Sequence, residues 1–184
     1  AHGFDDFVIE TGVLKKYTGN GGSVIIPNGV ASIGSMAFFG CESLTNITIL
    51  NGVTSIGDWA FWRCTNLTDV TIPDSVTSIG KCAFEECKSL KSIIIPNGVT
   101  GIGGLTFREC ASLKSITIPD SVTSIGAYAF DGCESLTDVA VPDSVTSFGS
   151  YAFNGCKGLA DQNGFVIIGD VLYGYFGKGS NVVI

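Results

Sequence analysis

The sequence predicts a β-rich solenoid of six stacked coils, and three observations carry this prediction. First, six of the seven cysteines recur every 23 residues, at Cys41, Cys64, Cys87, Cys110, Cys133 and Cys156. Second, phenylalanine, leucine, valine and glycine recur with the same period, beginning at Phe38, Leu44, Val30 and Gly34. Third, the period holds from about residue 23 to residue 160 without an insertion. A period of roughly 20–50 residues is typical of repeat architectures.

Each coil is predicted to contain a strand, a turn, a second corner and a short helical or 3₁₀ return. In the third copy, residues 67–72 alternate apolar and polar side chains, as a strand does. Pro73 and Asp74 end this strand, because proline lacks a ladder donor and aspartate favours turns. Ile79, Ala83 and Cys87 follow at the spacing of one buried helical face. One coil cannot bury its apolar side chains alone, so the copies are expected to stack as a parallel ladder.

The two ends of the chain share a second, longer repeat. Residues 7–26 and 165–184 align without a gap at an offset of 158 residues. Both segments resemble a strand pair, with tight turns at residues 10–12 and 169–170. We therefore predict an N-terminal cap at residues 1–22, a solenoid at 23–160, and a C-terminal strand pair at 161–184 that starts a further array. On this interpretation the chain is a fragment of a longer multi-array protein.

Composition excludes several classes of function. Hydrophobic residues make up 45% of the chain and charged residues 15%, which excludes intrinsic disorder. The net charge of −7 argues against binding to nucleic acid or to an anionic membrane. No apolar run approaches the roughly 18–20 residues that cross a bilayer. The one histidine, His2, leaves no basis for most metal clusters or for a histidine-dependent catalytic triad. We therefore expect that the protein is not an enzyme.

The repeat pattern resembles a known family. Residues 67–87 read Leu-x-x-Val-x-Ile-Pro-x-x-Val-x-x-Ile-Gly-x-x-Ala-Phe-x-x-Cys, which is similar to the BspA-like class of leucine-rich repeats. The six copies depart from it only slightly, for example at Leu50, Thr106 and Phe148. The resemblance implies an α/β-type leucine-rich repeat solenoid with a curved shape. It also implies an extracellular or cell-surface bacterial protein engaged in adhesion or protein contact, with no catalytic motif residue.

The cysteine column could hold free thiols, disulfides or a metal. Each cysteine of the column lies three residues after the recurring phenylalanine, so burial as a free thiol is favoured. Side chains that stack in parallel also point the same way, which suits disulfide geometry poorly. A disulfide from Cys82 to Cys64 or Cys87 stays open as an alternative.

Each of two other polar columns has both a structural and a functional interpretation. Oxygen-bearing side chains recur at Asn28, Asn51, Asp74, Asn97, Asp120 and Asp143. They could ligate Ca²⁺, but their place after proline and before glycine or serine favours turns. Glu86 and Glu109 occupy adjacent rungs at a spacing that a retaining glycosidase could use. Because Glu85 has Arg108 as its rung neighbour, a solvated surface of mixed charge is favoured.

Two surfaces remain as candidates for binding. The outward strand positions predict a strip of small polar side chains, which comprises Asn46, Thr48, Asp69, Thr71, Ser92, Ser115, Thr117 and Asp138. On the return side, Phe39 and Trp62 occupy adjacent rungs of an otherwise polar column, so we expect an exposed aromatic patch. The alternatives are an ordinary soluble sheet surface and an aromatic pair that packs on the N-terminal cap.

We therefore predict a non-catalytic surface or secreted module for protein binding or adhesion. Its ligand would be a protein, an extracellular-matrix component or a glycan of unknown identity. No cofactor, metal, nucleic acid or transmembrane segment is expected. The alternative is a passive spacer within a larger cell-surface protein.

Overall fold

A computed structural model of the chain describes residues 4–168 and 171–175. The predicted turn at residues 169–170 and the predicted start of a further array, within 176–184, lie outside the described residues. We number the coils from residue 21 in steps of 23. Coils 1 to 6 comprise residues 21–43, 44–66, 67–89, 90–112, 113–135 and 136–158.

Each coil contributes one longer strand and one strand of two residues. The longer strands are Gly22–Ile25, Leu44–Thr48, Asp69–Thr71, Ser92–Ile94, Ser115–Thr117 and Asp138–Ala140, and their stack is here called the long ladder. The two-residue strands are Ser32–Ile33, Ser55–Ile56, Ser78–Ile79, Gly101–Ile102, Ser124–Ile125 and Ser147–Phe148, and their stack is here called the short ladder.

Strand pairing within both ladders is parallel and follows the 23-residue period. Ile47 pairs with Val70 in the long ladder, and Ile56 pairs with Ile79 in the short ladder. Apart from Gly22, which pairs with Leu44 at a register shift, each residue of a paired strand therefore lies beside its counterpart in the next coil. The predicted parallel solenoid is confirmed.

The core consists of columns of identical side chains. The rings of Phe38, Phe61, Phe84, Phe107, Phe130 and Phe153 are fully buried. Neighbouring rings stack with centroids 5.0–5.6 Å apart. The leucine column that begins at Leu44 and the valine column that begins at Val30 extend the same core. Burial of these columns is the main stabilisation that each coil gains from its neighbours.

The returns, however, are consecutive turns rather than the predicted helical or 3₁₀ segments. In coil 1 the N–H of Phe39 donates to Met36 within the coil, whereas the N–H of Phe38 donates to Ala60 of coil 2. Met36 and Gly40 both have left-handed backbone, with φ of 59° and 67°, and every later coil repeats this. Left-handed residues interrupt a helix, and the bonds between coils replace the helical ones. Within the described residues, 3₁₀ turns occur only at Phe4–Asp6 and Lys157–Leu159.

A strand pair flanks the solenoid at each end, as predicted. At the N-terminus Phe7–Glu10 pairs antiparallel with Val13–Tyr17 around a two-residue turn, and Val13–Tyr17 continues the short ladder. Tyr17 extends the phenylalanine stack, with its centroid 5.1 Å from that of Phe38. At the other end Phe165–Ile168 pairs antiparallel with Val171–Tyr175. The domain limits at residues 22 and 160 stay predictions.

Candidate binding surfaces

The predicted polar strip lies on the outer face of the long ladder. Asp69, Thr71, Ser92, Thr117 and Asp138 are exposed there, and Asn46, Thr48 and Ser115 are half-buried. The amide Nδ2 of Asn46 donates to Oδ2 of Asp69 at 3.2 Å. Ile25 and Ile94 are exposed on the same face, and 69% of Ile94 is accessible. The strip is therefore a row of small polar groups with two isolated apolar side chains.

Phe39 and Trp62 are in contact on the return side. Their ring centroids lie 5.0 Å apart with the planes tilted by 38°, and 48% of Phe39 is exposed. Trp62 is half-buried, and the guanidinium of Arg63 lies 5.1 Å from its ring centroid. Nε1 of Trp62 is buried and has no hydrogen-bond partner among the described residues. A buried hydrogen-bond donor without an acceptor destabilises the folded state, so packing alone does not account for the placement of this N–H group.

The rest of this column is less solvated than the sequence suggested. Only 8% of Glu85 is exposed, because Nη1 of Arg108 binds its carboxylate at 2.9 Å. Arg108 also contacts Asp131 at 3.3 Å, and Asn154 donates to Asp131 at 2.7 Å. The hydrogen bond to Glu85 raises the pKa of Arg108. The polar part of the column is therefore a connected chain, and its aromatic part comprises Phe39 and Trp62.

A second column on the return side was not predicted from the sequence. Its members all have left-handed backbone and are Met36, Trp59, Cys82, Leu105, Tyr128 and Tyr151. The rings of Tyr128 and Tyr151 stack at 5.1 Å, and 59% of Tyr151 is exposed. The signal was the apolar character of this column in every copy. Its partial exposure could not be read from the sequence, because it depends on a backbone conformation that the sequence does not show.

We call the aromatic side chains of these two columns the return face. It comprises Phe39, Trp59, Trp62, Tyr128 and Tyr151. Large aromatic side chains at a partly exposed surface can supply much of the contact energy of a protein interface. The ring contacts of Phe39 with Trp62 and of Tyr128 with Tyr151 also restrict the rotation of these side chains before a partner binds, which reduces the entropy lost on binding.

The cysteine column consists of free thiols that form hydrogen bonds between neighbouring coils. Sγ of Cys64 donates to the carbonyl of Phe38 in the preceding coil at 3.1 Å, and each later coil repeats this bond at 3.1–3.2 Å. Burial raises the pKa of Cys64 and Cys110. Cys41 is half-buried, and burial raises the pKa of Cys82 to about 12. The open alternative of a disulfide from Cys82 is not present, since all seven cysteines are free.

The other polar columns form turns and ion pairs. The N–H of Val76 donates to the carbonyl of Pro73 across Asp74, which places Asp74 in a turn. Glu86 binds Nε of Arg63 at 3.3 Å. In the part of the chain that the structure describes, no three His, Cys, Asp or Glu side chains are placed to hold a metal ion. The described residues also contain no helix that is long and apolar enough to span a bilayer.

The comparisons with known proteins agree with this fold. Residues 9–137 and 101–163 match the family described as BspA type leucine rich repeat region (6 copies). No curated protein matches the sequence. A leucine rich cell surface protein from Faecalibacterium prausnitzii A2-165 is 34% identical with a TM-score of 0.73, over 90% of this chain and 55% of that one. The T. pallidum leucine rich repeat protein is 31% identical with a TM-score of 0.64, over 81% and 83% of the two chains.

Proposed function

The chain belongs to the BspA-type leucine-rich repeat family, and we propose that it is a non-catalytic binding module displayed at the cell surface or secreted. Its partner would be a protein that contacts the aromatic side chains of the return face. The contact between Phe39 and Trp62, which are both partly exposed, carries this proposal. The similarity to a leucine rich cell surface protein supports the location.

The aromatic pair has the properties of an interface anchor. Tryptophan is enriched among the residues that dominate interface energies, and so is arginine. Trp62 contacts both the ring of Phe39 and the guanidinium of Arg63, and both contacts restrict its motion. The fold does not require an aromatic ring at this position, since coils 3 to 6 have Glu85, Arg108, Asp131 and Asn154 there.

The polar strip of the long ladder is the competing contact surface within the same function. Its side chains offer hydrogen bonds to an extended polypeptide or to a glycan. All eight are small, and five of them are exposed, so each contributes little unless a partner removes water from it. We therefore assign the larger share of the binding energy to the return face.

Binding assays with two matched variants test the proposal. The probes are immobilised extracellular-matrix proteins and a glycan array. Phe39→Ala/Trp62→Ala removes the aromatic pair, and Asp69→Ala/Ser92→Ala removes polar groups of the strip. We expect binding to a protein probe that the first variant loses and the second retains. Loss with the second variant only would move the site to the strip, and a wild-type protein that binds no probe would favour a passive spacer.

A further inference from the structure

The solenoid is interrupted between coil 3 and coil 4. In the long ladder the strands of coils 1 to 3 form one sheet and those of coils 4 to 6 another. The short ladder ends at Ser78–Ile79 and starts again at Gly101–Ile102. The other four junctions between coils keep their pairing in both ladders. We call the junction between coils 3 and 4 the seam.

Individual hydrogen bonds show the same interruption. The N–H of Gly80 donates to Ile56 at 2.9 Å, and that of Gly126 donates to Ile102 at 2.8 Å. The equivalent bond from Gly103 to Ile79 is absent from the described residues. The bond from the N–H of Thr100 to the carbonyl of Thr77 is also absent from this part of the chain. The N–H of Thr123, in contrast, makes the equivalent bond to the carbonyl of Thr100 at 2.9 Å.

Distances between the coils also increase at the seam. A methyl group placed on Gly80 would lie 2.5 Å from the backbone nitrogen of Asp58 in the preceding coil. On Gly103 the nearest backbone atom of the preceding coil would be Cα of Lys81, at 3.4 Å. The rings of Phe84 and Phe107 are 5.6 Å apart, the widest spacing in the phenylalanine stack. A groove of about 380 Å³ opens over the seam and is lined partly by Thr77, Lys81 and Thr100.

A departure from the repeat explains this opening. Thr106 is fully buried at a position where the other five coils have alanine. Its hydroxyl donates to the carbonyl of Gly103 at 2.9 Å and lies 3.4 Å from the carbonyl of Gly80. Two additional heavy atoms therefore lie where coils 3 and 4 would otherwise approach. A close-packed interior transmits such added volume as displacement.

The return side of the seam stays closed. The N–H of Phe84 donates to Thr106 at 2.9 Å, and that of Glu86 donates to Arg108 at 2.8 Å. The ion pair between Arg108 and the buried Glu85 joins the same two coils. Beside the long ladder the N–H of Lys91 still donates to Thr68 at 3.3 Å, and the N–H of Ser112 donates to Lys88 at 3.1 Å. The seam is therefore held along the return side and at the start of the long ladder, and strand pairing is lost at both ladders, which is the geometry of a hinge.

We propose that the solenoid consists of two three-coil blocks, residues 21–89 and 90–158, which bend about the return turns at the seam. The motion changes the curvature of the long ladder, on which Thr71 and Ile94 flank the opening. The extra separation between the rings is a fraction of an ångström, far below the strand spacing of about 4.8 Å, so the seam has no room for an inserted strand. The hinge is independent of the proposed binding function, since it follows from packing alone.

Amide hydrogen exchange followed residue by residue tests the opening. We expect the amides of Thr100 and Gly103 to exchange at least about tenfold faster than those of Thr123 and Gly126, because unpaired ladder groups open locally. Equal protection at the two sets of positions would show a closed ladder in solution and would overturn the proposal.

A pair of matched variants tests the cause. Thr106→Ala restores the residue of the other coils and should slow exchange at Thr100 and Gly103 towards the rates at Thr123 and Gly126. Thr146→Ala, at an exposed position in coil 6, should leave all four rates unchanged. Exchange at the seam that stays fast in Thr106→Ala would overturn the assignment of the opening to this side chain.

Spin labels test the bending itself. The labels are attached to cysteines that are introduced in a Cys41→Ser background. The pair Asn51→Cys and Asn97→Cys places one label in coil 2 and one in coil 4, on opposite sides of the seam. Asn97→Cys with Asp143→Cys spans coils 4 and 6 within one block, at the same separation of 46 residues. We expect a broader distribution of label distances across the seam than within the block. Distributions of equal width would contradict a hinge.

Discussion

Two neighbouring columns of the return turns differ in almost every respect. The column that begins at Phe38 has phenylalanine in all six coils and is fully buried. The next column changes from the aromatic pair Phe39 and Trp62 to charged and polar side chains. The first column is fixed because every ring packs against its counterparts in adjacent coils. The second can differ because five of its six side chains reach the surface at least in part, and only Glu85 is buried. Side chains that distinguish one coil from another are those that can specify a partner.

Replacing one member of the buried column should give the largest effect. Phe84→Ala removes a ring that stacks on Phe61 and Phe107, so we expect the free energy of unfolding to fall by about 3–5 kcal/mol. Phe39→Ala is the matched control, because it removes the same side chain from an exposed position of the neighbouring column, and it should cost about 1 kcal/mol or less. Chemical denaturation of both variants measures the difference. Similar losses would contradict the contrast between the columns.

Trp62→Ala should separate binding from stability. Loss of a central aromatic contact should weaken binding to the protein partner by about 2 kcal/mol or more. Stability should fall by about 1 kcal/mol, because the indole is only half-buried and its Nε1 has no partner within the described residues. Thermal melts and affinities are measured on the same preparations. A loss of stability as large as that of Phe84→Ala would make Trp62 a core residue, and an unchanged affinity would remove it from the site.

The same contrast explains which features the sequence could predict. The buried columns were visible because every coil needs the same side chain at the same place. The turn conformation of the returns was not visible in the sequence. Met36 and its counterparts are not glycines, yet they have a left-handed backbone whose N–H groups bond to the next coil. Burial of Glu85 depends on Arg108, one coil away. The seam was visible only as Thr106, a departure whose effect requires knowledge of what packs against it.

Alkaline pH should destabilise the buried cysteine column. Burial raises the pKa of Cys87 in the folded chain well above its ordinary value, whereas the unfolded thiol ionises near pH 8.5. A buried protonated thiol therefore contributes its full stabilisation below about pH 8.5. As the pH rises above this value, the free energy of unfolding falls by about 1.4 kcal/mol per pH unit for each buried thiol. Cys87→Ala should show a shallower fall in unfolding free energy between about pH 9 and pH 10.5. Equal slopes for the variant and the wild type would show that the thiol is ionised or exposed in the folded chain.

The smallest effect should come from the polar strip. The hydrogen bond from Asn46 to Asp69 is 3.2 Å long and exposed, and both groups can bond to water when it is broken. We therefore expect Asn46→Ala to change the free energy of unfolding by no more than about 0.5 kcal/mol. Its effect on affinity should be equally small if the partner contacts the return face. A tenfold loss of affinity without a loss of stability would instead place the partner on the long ladder, and it would show that solvated side chains of a regular sheet specify binding here.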